Sequence, residues 1–192
     1  MRLTIVRHGN TFEAGEVPRR VGLRTDLPLT AAGLVQAEAL GRAFHGRHFS
    51  RCLVSPLLRT RQTAEALLRT AGLALAPEPA SFLAEIDHGP DENATDAEIM
   101  ARIGPDALKA WDEHAIVPDG WVVDAPARIA AWRELAAKAS GDILCVTSNG
   151  AARFALLAFG LAPQKLRTGA WGIIEAGADG RFELVEWDKR PA

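Results

Sequence analysis

Tyrosine is absent from the 192 residues, and cysteine and methionine occur only twice each. Cys52 and Cys145 lie far apart, and neither has a second cysteine or a histidine at metal-ligand spacing, which excludes a disulfide framework and a thiolate metal site. Both sit in apolar runs, RCLVS and ILCVTS, as small buried hydrophobes do. An excess of either charge is also missing: the formal net charge is -2, so no global field draws the chain to nucleic acid or an anionic membrane. Any anion binding must be local. No apolar run approaches the ~18–20 residues of a spanning helix, and the longest, FALLAFGLA, is interrupted by Gly160. Strand-like LTIV stands almost at the first residue, leaving no room for a cleaved leader. The expectation is a cytoplasmic protein without membrane or nucleic-acid partners. Paired carboxylates and histidine clusters at ligand spacing are lacking too, so neither metal nor cofactor is expected.

What the chain does contain is an ordinary globular balance, 48% hydrophobic and 24% charged, at about the length of one domain, residues 1–192. RLTIV, residues 2–6, reads as a strand that RHGNT ends, which places His8 at the strand's C-terminal end. TAAGLVQAEALGRAF reads as a helix capped by Thr30, with Leu34, Ala37, Leu40, Ala43 and Phe44 at helical spacing. RCLVS is a second strand, and SPLLRTRQTAEALLRTAG a helix entered through serine and proline. Residues 96–112 and 124–139 read as helices, GDILCVTSNG as a glycine-bounded strand feeding the helix AARFALLAFG, and WGIIEAG with RFELVEW as a hairpin. GPDENATD is polar enough for a mobile loop or lid. Strands alternating with helices argue for an α/β chain, a three-layer α/β/α sandwich with a largely parallel central sheet. Ligands then bind beyond the C-terminal strand ends, where RHGNT and TSNG fall.

Phosphate esters need fixed positive charge, an in-line nucleophile and an acid for the leaving oxygen. Arg7 and His8 are adjacent at the first strand end. Arg59 lies one turn into the following helix, where its planar fork suits phosphoryl oxygens and the helix N-terminus favours an anion. Neutral imidazole attacks best when one ring nitrogen donates to a fixed acceptor, which a backbone carbonyl near His8 would provide. Glu85 in FLAEIDHG follows apolar or small residues, a setting expected to desolvate its carboxyl and raise it toward a useful general acid, with Asp87 as the alternative. Trp111 and Trp132 stand in helical patterns as packing residues. Trp121, beside Gly120, is read as core ahead of a substrate mouth.

RHGNT, DLPLTAAGLVQAEALG, SPLLRTRQTAE and LAEIDHG, in that order over the first ninety residues, resemble the motifs of the histidine phosphatase superfamily, the phosphoglycerate-mutase-like proteins. The resemblance implies that His8 becomes a phosphohistidine, that Arg7 and Arg59 bind the phosphoryl group, and that Glu85 protonates the leaving group and then activates water. It places further contacts at Thr11 and at one of Arg19, Arg20 or Arg24. The second half departs from the pattern: where the family has roughly VTHGG and then an arginine, this chain has VTSNGAAR. Aligning Val146, Thr147, Gly150 and Arg153 puts Ser148 at the second phosphate-binding histidine and Asn149 beside it. Both side chains can donate hydrogen bonds but neither carries charge. His88, three residues past Glu85, is read as a surface or substrate-recognition residue ahead of a phosphate role, and His45, His48 and His114 as solvated. The function expected is metal-independent hydrolysis of a small phosphorylated metabolite. A phosphomutase and a non-catalytic phosphate-binding module are the alternatives, and the sequence sets no oligomeric state.

Overall fold

The computed structural model describes residues 1–191. Six strands form one sheet in the order β3-β2-β4-β1-β5-β6: β1 Arg2–Arg7, β2 Arg51–Val54, β3 Pro77–Pro79, β4 Asp142–Thr147, β5 Trp171–Ala176 and β6 Phe182–Lys189. The first four are mutually parallel, and β5 and β6 are the expected antiparallel hairpin.

Alternation along the central strands explains the layers, since successive side chains of a strand point to opposite faces. Leu3 and Ile5 of β1, with Ile143 and Cys145 of β4, join a core containing Trp111, Trp132 and Phe154. Val6, Leu144 and Val146 join the opposite core with Leu40, Phe44 and Leu67. Helices α1 (Ala31–Ala43) and α2 (Leu58–Ala71) supply residues to the second core. Helices α3 (Asp96–Ile103), α4 (Pro105–His114), α5 (Ala125–Lys138) and α6 (Asn149–Ala158) supply the first. The sandwich expected from the sequence is therefore present.

Local chemistry sets the boundaries. Thr30 caps α1, its hydroxyl accepting from Gly33 N at 3.1 Å. The buried face of α1 runs through Gly33, Ala37, Leu40 and Gly41; Leu34, 41% exposed, lies off it. The single helix expected over 96–112 is two, because Gly104 at φ 82° and Pro105 break the ladder between α3 and α4. Helix α2 begins only at Leu58, beyond the serine-proline turn. GPDENATD is not a loose lid: Asp91 is 3% exposed, paired with Arg102 and accepting from Trp121 Nε1 at 2.7 Å. An aspartate side chain with two fixed donors anchors that segment to the core.

Candidate active site

β1 and β4 lie side by side with Arg7 opposite Thr147, and His8 N extends the ladder by donating to Thr147 O at 3.0 Å. This register brings the RHGNT and TSNG ends together, as a parallel sheet requires. The loop after β1 presses against the start of α1 without side chains between: a Cβ on Gly9 would stand 2.3 Å from Gly33 O, and one on Gly33 2.2 Å from Asn10 O. Only glycine permits that approach at either position. Above these strand ends opens a cavity of about 590 Å³. Arg7, His8, Thr11, Glu85 and Asn149 all line it, joined by His88.

His8 is 5% exposed, and its Nδ1 lies 2.7 Å from Gly9 O. A carbonyl only accepts, so Nδ1 carries the proton and the lone pair of a neutral ring sits on Nε2. Burial, then the positive charges of Arg59 and Arg7, push His8 well below its ordinary 6.5, against the Gly9 bond. The imidazole is thus neutral at pH 7 in a strongly positive setting, which is what a nucleophile for an anionic ester needs. Arg7 donates from Nη1 to Leu166 O at 2.7 Å. Desolvation lowers its guanidinium to about 10, so it stays charged.

Glu85 corrects the sequence expectation. Its Oε1 accepts from Ile86 N at 2.9 Å and Ala151 N at 3.1 Å, and its Oε2 from Gly150 N at 3.0 Å. The carboxylate therefore sits on the N-terminus of α6, where free N–H groups and the helix dipole favour an anion. Burial raises the carboxyl, but His88, the Ile86 and Gly150 N–H groups and Arg59 outweigh it and leave Glu85 below its ordinary 4.5. A Cβ on Gly150 would fall 2.2 Å from Oε1, so this seat too depends on glycine.

Arg59 and Ser148 are not on the cavity wall. The Arg59 side chain is fully buried and spends its fork on backbone carbonyls, Nη1 on Thr25 O and Nη2 on Val21 O and Gly22 O. The first N–H of α2 is likewise taken, by Asp26 Oδ1 at 2.7 Å. Arg59 acts on the site as a buried positive charge near His8. Ser148 is fully buried with its hydroxyl unpartnered. Asn149 holds Leu166 N with Oδ1 at 2.8 Å and lines the cavity. Of the three arginines, Arg19 and Arg20 line the cavity, whereas Arg24 turns outward to Asp87 and Gly89 O.

Several wall residues, Asp96, Asp112, Lys165, Arg167 and Thr168 among them, carried no signal in the sequence. Arg20 pairs with Asp96 at 2.7 Å and Asp112 at 3.3 Å. Asp112 also holds buried Arg153 at 3.0 Å, whose guanidinium stacks 4.8 Å over Trp111. Lys165, Arg167 and Thr168 reach the rim from the segment before β5. Only tertiary structure joins these segments. His88 is not a surface residue: it is 5% exposed, against the edge of Trp121 at 4.5 Å between ring centres. His45, His48 and His114 are solvated as expected, and both cysteines are buried free thiols.

A buried neutral histidine beside arginine at the end of the first parallel strand, opposite a carboxylate, belongs to a known class. The chain is a member of the histidine phosphatase superfamily (branch 1), whose family model matches residues 3–188. Among individual proteins, it is similar to the probable phosphoglycerate mutase GpmB of Yersinia pestis, 31% identical over 93 residues, or 48% of this chain and 41% of that one. The match thus spans less than half of that relative's length. In three dimensions it resembles a putative alpha-ribazole-5'-P phosphatase from Escherichia coli, with TM-score 0.78 and 25% identity over 99% of this chain and 97% of that one. A mycobacterial glucosyl-3-phosphoglycerate phosphatase shares the fold with TM-score 0.82 and 21% identity, covering 98% and 99% of the two chains. Among the described residues, no helix is long and apolar enough to cross a membrane.

Proposed function

We propose that this protein hydrolyses phosphate monoesters of small metabolites through a phosphohistidine on His8, without a metal. The observation that carries the reading is the His8 ring itself, neutral, with Nδ1–H fixed on Gly9 O and Nε2 free beside the Arg7 cation. Nε2 attacks phosphorus, the ester oxygen departs, and water then displaces His8 to release phosphate. Arg7 and the buried charge of Arg59 stabilise the phosphoryl oxygens in both steps. Thr11, the Asn149 amide and one or both of Arg19 and Arg20 hold the rest of the substrate. Glu85 is the carboxyl to which the family resemblance assigns proton transfer, and its neighbours hold it below its ordinary 4.5.

The likeness over nearly the whole chain to proteins named as phosphatases supports hydrolysis. The partial match to a mutase-named protein supports the second reading, phosphoryl transfer within one substrate. Phosphate release from an aryl phosphate and a panel of phosphorylated metabolites, with a chelator present, separates these. Release by the native chain that His8→Ala abolishes supports the hydrolase. Isomerised product without free phosphate supports the mutase, and saturable phosphate binding without turnover a binding module.

A further inference from the structure

Between α6 and β5 the chain has neither helix nor strand from 161 to 170, so its peptide groups there must find partners outside any ladder. Two consecutive peptides of this stretch are held at all four polar atoms by side chains. The Lys165–Leu166 peptide accepts from Trp187 Nε1 at 3.1 Å and donates to Asn149 Oδ1 at 2.8 Å. The Leu166–Arg167 peptide accepts from Arg7 Nη1 at 2.7 Å and donates to Asp188 Oδ1 at 2.7 Å. Together they form a rigid bracket with Asn149 at one corner and Arg7 at another.

The holders are themselves fixed. The Trp187 ring packs on β5, where a Cβ on Gly172 would stand 2.1 Å from Cε3. Asp188, left-handed at φ 55°, takes Arg167 three times: N on Oδ1, Nε on Oδ2 and Nη2 on the backbone oxygen. A non-glycine residue in that region persists where its surroundings over-determine it. Leu166 buries its side chain completely in the core with Trp111 and Phe154. Arg7, by contrast, depends on the bracket. Among the described residues its guanidinium makes one hydrogen bond, to Leu166 O, while Nε is buried without a partner and no carboxylate pairs with it.

We propose that Asn149 is a positioning residue: its Oδ1, acting through the N–H and carbonyl of Leu166, aims the Arg7 guanidinium at the phosphoryl group. The inference rests on the phosphohistidine reading and adds to it a side chain that the resemblance does not supply, since the family pattern has glycine where this chain has Asn149. The same departure puts uncharged Ser148 at the histidine position, which throws more of the phosphoryl charge onto Arg7 and makes its aim matter more. The first turn of α6 then orders two sides of the reaction. Gly150 N and Ala151 N hold Glu85 directly, and the Asn149 side chain holds Arg7 at one remove.

The test is a double-mutant cycle of Asn149→Ala and Arg7→Ala on nitrophenyl phosphate, which omits the metabolite portion that the Asn149 amide would contact. A misaimed cation loses transition-state stabilisation before ground-state affinity, so Asn149→Ala should lower kcat by about 10- to 10²-fold with KM within about threefold of native. In the Arg7→Ala background the same substitution should cost less than about twofold, because the group it acts through is gone. Equal losses in both backgrounds, or an undiminished kcat in Asn149→Ala, would overturn the proposal. Inactivity of the native chain would instead sink the phosphohistidine reading. The cycle is then read on the dissociation constant of inorganic phosphate, where non-additivity is again expected and additivity overturns the proposal. Should Asn149→Ala fail to fold, Trp187→Phe replaces it, since it keeps the ring, removes the N–H on Lys165 O and lies off the cavity wall. A loss of kcat that Arg7→Ala erases is the expected result; no loss, or one that persists beside Arg7→Ala, overturns it.

Discussion

The titration of His8 governs how the site responds to acid. Its folded value lies well below 6.5 because burial and two arginines oppose its charge. Turnover of nitrophenyl phosphate, which needs no proton donor, should therefore hold as pH falls from 7 through 6.5; a rate already halved near 6.5 would contradict the assigned cause. The same groups tie stability to pH. Glu85 lies below 4.5 and Glu92 at about 2, so each contributes in full above its unfolded value and loses that contribution as pH falls through its folded one. His8, also depressed, adds to the loss from 6.5 downward. Urea midpoints at pH 7, 5 and 3 should fall in that order, and a midpoint rising toward acid would be inconsistent with these shifts. Arg7, His8, Thr11, Glu85 and Asn149, which line the cavity, could be singled out in the sequence because local motifs carry them. The state of Glu85 could not, because its partners Gly150 and Ala151 lie on an element 65 residues away in sequence for the nearer one.

At the scale of elements, the β4–α6 junction does most to shape the site. Helix α6 starts one residue after the buried Ser148 and aims its first N–H groups at Glu85. Gly150→Ala puts a methyl where Oε1 now sits, 2.2 Å away. The expected outcome is a fold kept with about 1–3 kcal/mol lost to overpacking and turnover down about 10²-fold from displaced geometry. Unchanged turnover would mean that the seat of Glu85 is dispensable. Elements with strong periodicity or caps, such as β1, α1, α5 and the β5–β6 hairpin, were readable in sequence. The break at Gly104–Pro105 was written there too, as a left-handed glycine before a helix-starting proline, but apolar periodicity on both sides obscured it. Strand β3 had no signal of its own: three residues, two of them proline, are held as a strand only by pairing with β2. The order of GPDENATD was likewise invisible, since Arg102 and Trp121 reach Asp91 from other segments.

For the molecule as a whole, the two cores share β1 and β4, so the sheet transmits any loss of packing directly to the strand ends that hold Arg7, His8 and Ser148. Leu144→Ala, at a fully buried position of β4, should cost about 2–5 kcal/mol by chemical denaturation; a loss under about 1 kcal/mol would show that the centre of the sheet tolerates a void. The edges differ in character. Prolines blunt β3, whereas β6 presents Glu183, Glu186, Asp188 and Lys189 among its apolar residues, charges that discourage further strand pairing. The central claim, covalent catalysis by His8, is tested most directly by mixing the native chain with an aryl phosphate, quenching in alkali and locating the phosphoryl group by mass spectrometry. Acid-labile phosphate on His8, formed fast enough to account for turnover and absent from His8→Ala, is the expected result. Phosphate released at the native rate by His8→Ala, with no phosphorylated histidine in the native chain, would contradict it.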